Sequence, residues 1–304
     1  MLSRVSVVIA TRNRSDRLAG AVRSALAQTE SDLEVLVVDD GSEDGTADAV
    51  ARLAAEDGRV RGVRLRRSGG AAAARNRGLK EADGDFVAFL DDDDRWVEHK
   101  MASQLEFLDA HRAAPAVSCQ YEIVSENDGN APVRYAGPAS CSREDLLWCN
   151  FVGGASVLML RRAAFVELPS FDTELVTCED WDFHMQCAAG GPITILPEVL
   201  VRYTVHDDGR LTNPLHLRNG RLAWLRKHSA DMSAECLAYH RARLRALGTG
   251  DGAARAAVAV KVAATSSARV TRILAEESLA ARLGQRAGDP GRGMRRLYEL
   301  IRTP

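Results

Sequence analysis

Apolar runs and polar interruptions alternate along this chain with two distinct periods. Residues 5–10 (Val5-Ser6-Val7-Val8-Ile9-Ala10), 33–38 and 86–90 are near-continuous apolar stretches. That is the pattern of strands buried on both faces of a parallel sheet. A weaker run covers 60–65. Helical spacing fills the gaps. Leu18, Val22, Ala25 and Leu26 share one face of a helix that Ser15 is placed to cap. Asp44-Gly45-Thr46 opens a second helix carrying Val50 and Leu53. Gly69-Gly70 opens a third through the alanines at 71–74, with free backbone N–H groups expected in its first turn. Strand and helix therefore alternate as parallel strands with right-handed crossovers require, which predicts an α/β fold.

The pattern continues with a helix from Trp96 carrying Met101, Leu105 and Leu108, then a strand over 116–124. Residues 125–142 are rich in Asn, Asp, Gly, Pro and Ser and are expected to form a long loop. Further strands are expected over 156–160 and 199–203, with a helix running from the cluster at 178–182 through Ala189. Beyond Pro214 the character changes, and four helices are predicted over 215–228, 232–247, 253–283 and 294–301. The expected organisation is a domain over 1–213, with halves 1–115 and 116–213, followed by a helical appendage over 214–304. That appendage either packs on the core, supplies a homo-oligomer contact, or touches a membrane surface peripherally.

Charge and cysteine content narrow the classes. Lys plus Arg total 40 against 42 Asp plus Glu, so no global field favours a nucleic acid or an anionic membrane. Six cysteines lie at 119, 141, 149, 178, 187 and 236, none in a Cys-x-x-Cys pair, as expected of free thiols in a reducing compartment. No basic-then-apolar leader opens the chain, and no apolar run is long enough to span a bilayer. The expectation is a cytoplasmic, soluble protein.

The informative chemistry sits at strand ends. The run 86–90 leads straight into Asp91-Asp92-Asp93-Asp94. Four carboxylates cannot be buried with the strand, so they belong where it leaves the sheet, the edge at which open parallel sheets bind ligands. Packed together they repel one another, and a divalent cation relieves that cost. A solvated acidic turn is the plain alternative. The first two strands deliver Thr11 to Arg14 and Asp39-Asp40 to the same edge, and Arg75 follows on the glycine-opened helix. A guanidinium there suits a phosphate or a base carbonyl.

These pieces together resemble the family 2 glycosyltransferases of the GT-A fold. The resemblance rests on Val5 to Arg14, on Val37-Val38-Asp39-Asp40-Gly41-Ser42-Glu43-Asp44-Gly45-Thr46, on Ala74-Arg75-Asn76-Arg77-Gly78, on Phe89-Leu90-Asp91-Asp92-Asp93-Asp94 and on Glu179-Asp180. It covers about residues 4–206 and leaves the helical tail outside. It implies a Rossmann-like, mostly parallel sheet, a nucleoside-diphosphate sugar donor with UDP the commonest, and a divalent cation, Mn2+ or Mg2+. Asp40 would contact the base, with Thr11, Arg14 and Arg75 around the nucleotide. Asp91 and Asp93 would take the ribose and the metal, with His206 as a further ligand or phosphate contact. Asp94, Trp96, Gly153, Gly154 and Trp181 fall near the sugar and acceptor, although both tryptophans read first as packing.

Asp180 would be the general base of an inverting single displacement, with Glu179 beside it. Partial burial by Trp181 and the charge of Glu179 are expected to raise its pKa usefully. Two positions depart from the family pattern. Thr204 replaces an Arg near His206, and Ser68 stands where an Asn is common. The implied acceptor is a glycan, a lipid-linked glycan, a peptide or a small molecule. Two other readings compete. A sugar nucleotidyltransferase would need a glycine-rich loop with a Lys after the first strand, which residues 11–14 do not supply. A non-catalytic nucleotide-sugar or glycan-binding scaffold differs in having no donor hydrolysis.

Overall fold

The computed structural model describes residues 4–125, 132–135, 137–165, 167–205 and 214–249. Its first elements are β1 (Val5–Thr11), α1 (Leu18–Leu26), β2 (Leu33–Asp39), α2 (Thr46–Glu56), β3 (Val60–Arg64), α3 (Gly70–Glu81) and β4 (Phe86–Asp91). β2, β1 and β4 lie side by side and parallel, with β3 outside β2. The three inner strands are buried on both faces, as their unbroken apolar runs demand. β3 is the edge, and beyond Val60 its residues reach solvent. α3 packs closely on β1. A Cβ at Gly78 would lie 2.2 Å from Val8 Cγ1, so this helix approaches the sheet where it has no side chain.

The chain continues through β5 (Arg95–Trp96), α4 (Lys100–Ala110), β6 (Ala116–Ser125), β7 (Val133–Tyr135), β8 (Ser140–Cys141), α5 (Arg143–Leu146), β9 (Met159–Arg161), α6 (Glu179–Cys187) and β10 (Ile193–Val205). The main sheet path runs β3-β2-β1-β4-β9-β6-β10-β5. β9 is antiparallel to both β4 and β6, and β6 is parallel to β10. β4, β6 and β10 consequently point the same way, and their carboxyl ends share the edge reached by β1 and β2. That geometry positions everything described below.

Several expectations shift. Trp96 does not start a helix; it pairs with Val201 in β5, and α4 begins at Lys100. Ser15 is not the N-cap of α1, because Arg14 C=O accepts from both Arg17 and Leu18 at 3.1 Å and the helix starts later. The stretch 125–142 is not wholly loop: β7 pairs with β6, and β8 with β10. Residues 156–160 begin in a 3-10 turn (Ala155–Val157) and become strand only at Met159. Strands of two or three residues have no period to read; their sheet partners create them.

The chain divides into two compact units, Met1–Gly209 and Arg210–Pro304. In the second, α7 (Pro214–His228) and α8 (Ala234–Thr249) are described, with Trp224 and His240 ring centroids 5.3 Å apart. The helices expected over 253–283 and 294–301 lie outside the described residues, as does His206. Among the described residues, no helix is long and apolar enough to cross a membrane.

Candidate active site

Asp39, which ends β2, and Asp40, which follows it, have different surroundings. Asp39 is buried; its Oδ1 accepts from the Ser42 N–H at 2.8 Å, and its Oδ2 lies 3.4 Å from Arg64 Nε. It fixes the Gly41-Ser42 turn. Asp40 reaches across to α3, accepting from Ser68 Oγ at 2.7 Å, Gly69 N–H at 2.8 Å and Gly70 N–H at 2.9 Å. Two backbone N–H groups expected to be free at the start of α3 are thus taken by a carboxylate from the neighbouring strand. A negative group is favoured at that end of the helix dipole. Gly70 has φ +86°, which explains the glycine in this turn.

The four carboxylates that close and follow β4, Asp91 to Asp94, fan out in different directions. Asp94 N–H donates to Asp91 C=O at 3.1 Å, closing a tight turn. Asp94 is fully buried and points inward, accepting from Ser156 Oγ at 2.6 Å and from Thr204 N–H at 3.0 Å. Ser156 Oγ also accepts from Asp91 N–H at 3.0 Å, so one hydroxyl holds both ends of the turn. Burial, then the nearby Asp91, pushes the Asp94 carboxyl well above the ordinary carboxylate range. Asp92 accepts from Thr11 Oγ1 at 2.7 Å, and burial raises it to about 6. Asp93 lies 3.7 Å from Arg14 Nη1. Of the four, Asp91 and Asp93 are the ones not bonded to Thr11 or turned into the core.

Arg75 joins this turn to α6. Its Nη2 donates to Asp91 Oδ1 at 2.7 Å, and its Nη1 donates to Glu179 Oε1 at 3.0 Å. Burial opposes the guanidinium charge, but Asp91 and Glu179 outweigh it and raise its pKa. Cys178, just ahead of α6, has φ +68°, a conformation uncommon for a residue with a side chain. Asp180 follows in the first turn of α6 and is half-buried. Burial, then the charge of Glu179, pushes its carboxyl up to about 7, with Arg75 pulling the other way and Asp91 adding to the rise. Asp180 therefore feels both the charge that holds the turn and the carboxylate at its start.

The remaining expected residues divide by exposure. Trp96 is buried, with Nε1 donating to Ser156 C=O at 2.9 Å and Lys100 Nζ lying 3.9 Å from its ring centroid. Trp181 is buried, with Nε1 donating to Leu146 C=O at 2.7 Å. Both rings are buried, in keeping with their first reading as packing residues. Gly153 has φ +107° and accepts from Asn150 Nδ2 at 2.7 Å, while Asn150 Oδ1 lies 3.2 Å from His184 Nδ1. Burial, then the charge of Arg75, drives buried His184 down to about 3, so it is neutral.

Tyr203 ends near this group. Burial, then Asp94, Asp91, Asp93 and Asp180, all raise its phenol. Ser156 and Tyr203 were not singled out from the sequence as site residues. Ser156 lies in an apolar stretch with no signal, whereas Tyr203 stands inside a segment that carries one.

Among the described residues, no cluster of three or more His, Cys, Asp or Glu side chains is arranged to hold a metal ion by itself. Asp91 and Asp93 fit the other arrangement, in which one or two carboxylates share a small divalent cation with substrate phosphates.

The mostly parallel sheet flanked by helices, with its acidic carboxyl edge, has the GT-A architecture. Residues 6–165 match the model of glycosyl transferase family 2, more than half of the chain. The chain belongs to that family and is a glycosyltransferase. It is 32% identical over 171 residues to WfaP of Escherichia coli, named a UDP-Glc:alpha-D-GlcNAc-diphosphoundecaprenol beta-1,3-glucosyltransferase; the match spans 56% of this chain and 66% of that one. In structure it is similar to S. aureus TarS 1-349 in complex with UDP-GlcNAc, with TM-score 0.65, 20% identity, and 98% and 91% of the two chains covered. It is also similar to a mannosyltransferase from Pyrobaculum calidifontis in complex with GDP-Man and Mn2+, with TM-score 0.62, 22% identity, and 99% and 86% covered.

Proposed function

We propose that this chain transfers a sugar from a nucleoside-diphosphate sugar, with UDP the expected base, to an acceptor nucleophile with inversion at the anomeric carbon. The observation that carries the reading is Arg75 spanning Asp91 and Glu179, which puts the end of β4 beside the first turn of α6. The donor half is residues 1–115 and the acceptor half 116–213. Thr11, Arg14 and Asp40 frame the nucleotide pocket, with Asp40 also shaping it by holding Ser68-Gly69-Gly70. Asp91 and Asp93 would hold a divalent cation, which when bound would supply positive charge beside the diphosphate.

Asp180 takes the acceptor proton as attack proceeds. A carboxylate poised near 7 is a better base at neutral pH than an ordinary one, and it stays partly ionised there. Glu179 keeps that carboxyl high through its charge, while Arg75 limits the rise. A cytoplasmic location fits a nucleotide-sugar donor.

The test is a panel of nucleotide sugars, each measured for thermal stabilisation and hydrolysis with and without Mn2+. At least one donor is expected to stabilise the protein more strongly with Mn2+ and to be hydrolysed slowly. A panel with neither effect would overturn the reading, and binding without hydrolysis in the presence of acceptors would leave a scaffold instead.

A further inference from the structure

Asn76 stands next to Arg75 on α3, yet its side chain serves a segment 95 positions further along the chain. Its Nδ2 donates to Phe171 C=O at 2.7 Å, and its Oδ1 accepts from Phe171 N–H at 2.7 Å. This two-point clasp satisfies both backbone groups of one residue, as a neighbouring strand would. Its effect is on the Phe171 ring. That ring stacks on Phe183 of α6 at 4.0 Å with planes 4° apart, and meets Phe89 of β4 edge-on at 5.1 Å. Arg75 Cζ lies 5.3 Å from the same ring centroid.

Glu179 and Phe183 are four residues apart on α6, hence on one face of that helix. Glu179 is gripped by Arg75, and Phe183 is stacked on the ring that Asn76 places. Two adjacent residues of α3 thus set two points on one face of α6, which fixes the helix about its own axis. Asp180 follows Glu179 directly, so its direction is fixed with them. We propose that Asn76 is a positioning residue, acting through Phe171 and Phe183 to aim Asp180 at the acceptor. The inference rests on the reading of Asp180 given above, but the clasp itself has a readout that needs no substrate.

The experiment compares wild type with Asn76→Ala and with Asn76→Asp, which keeps the bond from Phe171 N–H and loses the one to Phe171 C=O. In the free protein, amide exchange over residues 182–185 is expected to quicken about tenfold in Asn76→Ala and less in Asn76→Asp, with β1 and β2 unchanged. With a donor that wild type hydrolyses, kcat is expected to fall at least about tenfold while the donor KM moves less than about threefold, read well below Tm. Unchanged exchange in α6, or unchanged kcat with the clasp cut, overturns the proposal. If Asn76→Ala does not fold, the exchange and kcat of Asn76→Asp decide by the same criteria. If wild type hydrolyses no nucleotide sugar, the functional reading fails, and the exchange result still decides whether Asn76 orders α6.

Discussion

Arg75 and Glu179 are separated by 104 positions in the chain and by 3.0 Å in space. The contact crosses from α3 to α6, the helix that carries Asp180. Arg75 is also bonded to Asp91, and its side chain is only 10% exposed. Removing a shared guanidinium leaves two carboxylates facing each other with little water to screen them. Arg75→Met is therefore expected to cost about 3–5 kcal/mol in urea denaturation. Arg75→Lys retains the charge but has no fork to span both partners, and is expected to lose less stability. A loss below about 1 kcal/mol for Arg75→Met would mean the bridge does not tie β4 to α6.

The pH dependence has a definite sign. Asp180 is raised from 3.8 to about 7 in the folded protein. Through that window the folded state keeps a proton that the unfolded chain has released, so this group's contribution to stability falls as pH rises. Asp180→Asn is expected to melt above wild type at about pH 8, with the difference shrinking as pH falls toward 4. Activity runs the opposite way: transfer is expected to rise with pH through about 7 as the base ionises. A rate that falls through that range would contradict the assignment.

Ser156 offers a test of the acidic turn that leaves every carboxylate in place. Its hydroxyl donates to Asp94 at 2.6 Å and accepts from Asp91 N–H at 3.0 Å. Ser156→Ala strands both groups, at an expected cost of about 1–3 kcal/mol by denaturation. Donor affinity is expected to weaken with it, because the turn that displays Asp91 and Asp93 loosens. Unchanged stability would show that the turn closes without the serine.

Glycines test the close approach of α3 to the sheet. Gly78→Ala drives a methyl to 2.2 Å from Val8 Cγ1, so overpacking of about 1–3 kcal/mol is expected. Gly58 has nothing within 4 Å of its would-be Cβ, so Gly58→Ala is expected to be neutral or slightly stabilising, by up to about 1 kcal/mol. Equal melting temperatures for the two variants would argue against the helix–sheet contact.

How far the sequence could be read depended on where each element draws its stability. β1, β2 and β4 are buried on both faces, so their apolar runs announced them, and the acidic run after β4 announced the edge. The family resemblance rests on those stretches, on Ala74 to Gly78 and on Glu179-Asp180; the family is borne out by the match over residues 6–165, which ends before Glu179. β5, β7 and β8 are two or three residues long and exist because β10 and β6 offer partners, so nothing local marked them. Asp39 and Asp40 look alike in sequence; only the fold shows one tied to its own turn and the other capping α3. The tryptophans at 96 and 181 carry no mark that separates a sugar platform from core, and their indole N–H bonds to Ser156 and Leu146 place them in the core. Asn76 stood inside a recognised motif, but its partner Phe171 is too distant in the chain for spacing to connect them.

The most direct test is donor turnover and donor affinity measured side by side for wild type and Asp180→Asn. With Asp180 as the base, turnover is expected to drop about 10²–10⁴-fold while affinity for the nucleotide sugar stays within about threefold. Full turnover in Asp180→Asn, or loss of donor binding in step with turnover, would contradict the account.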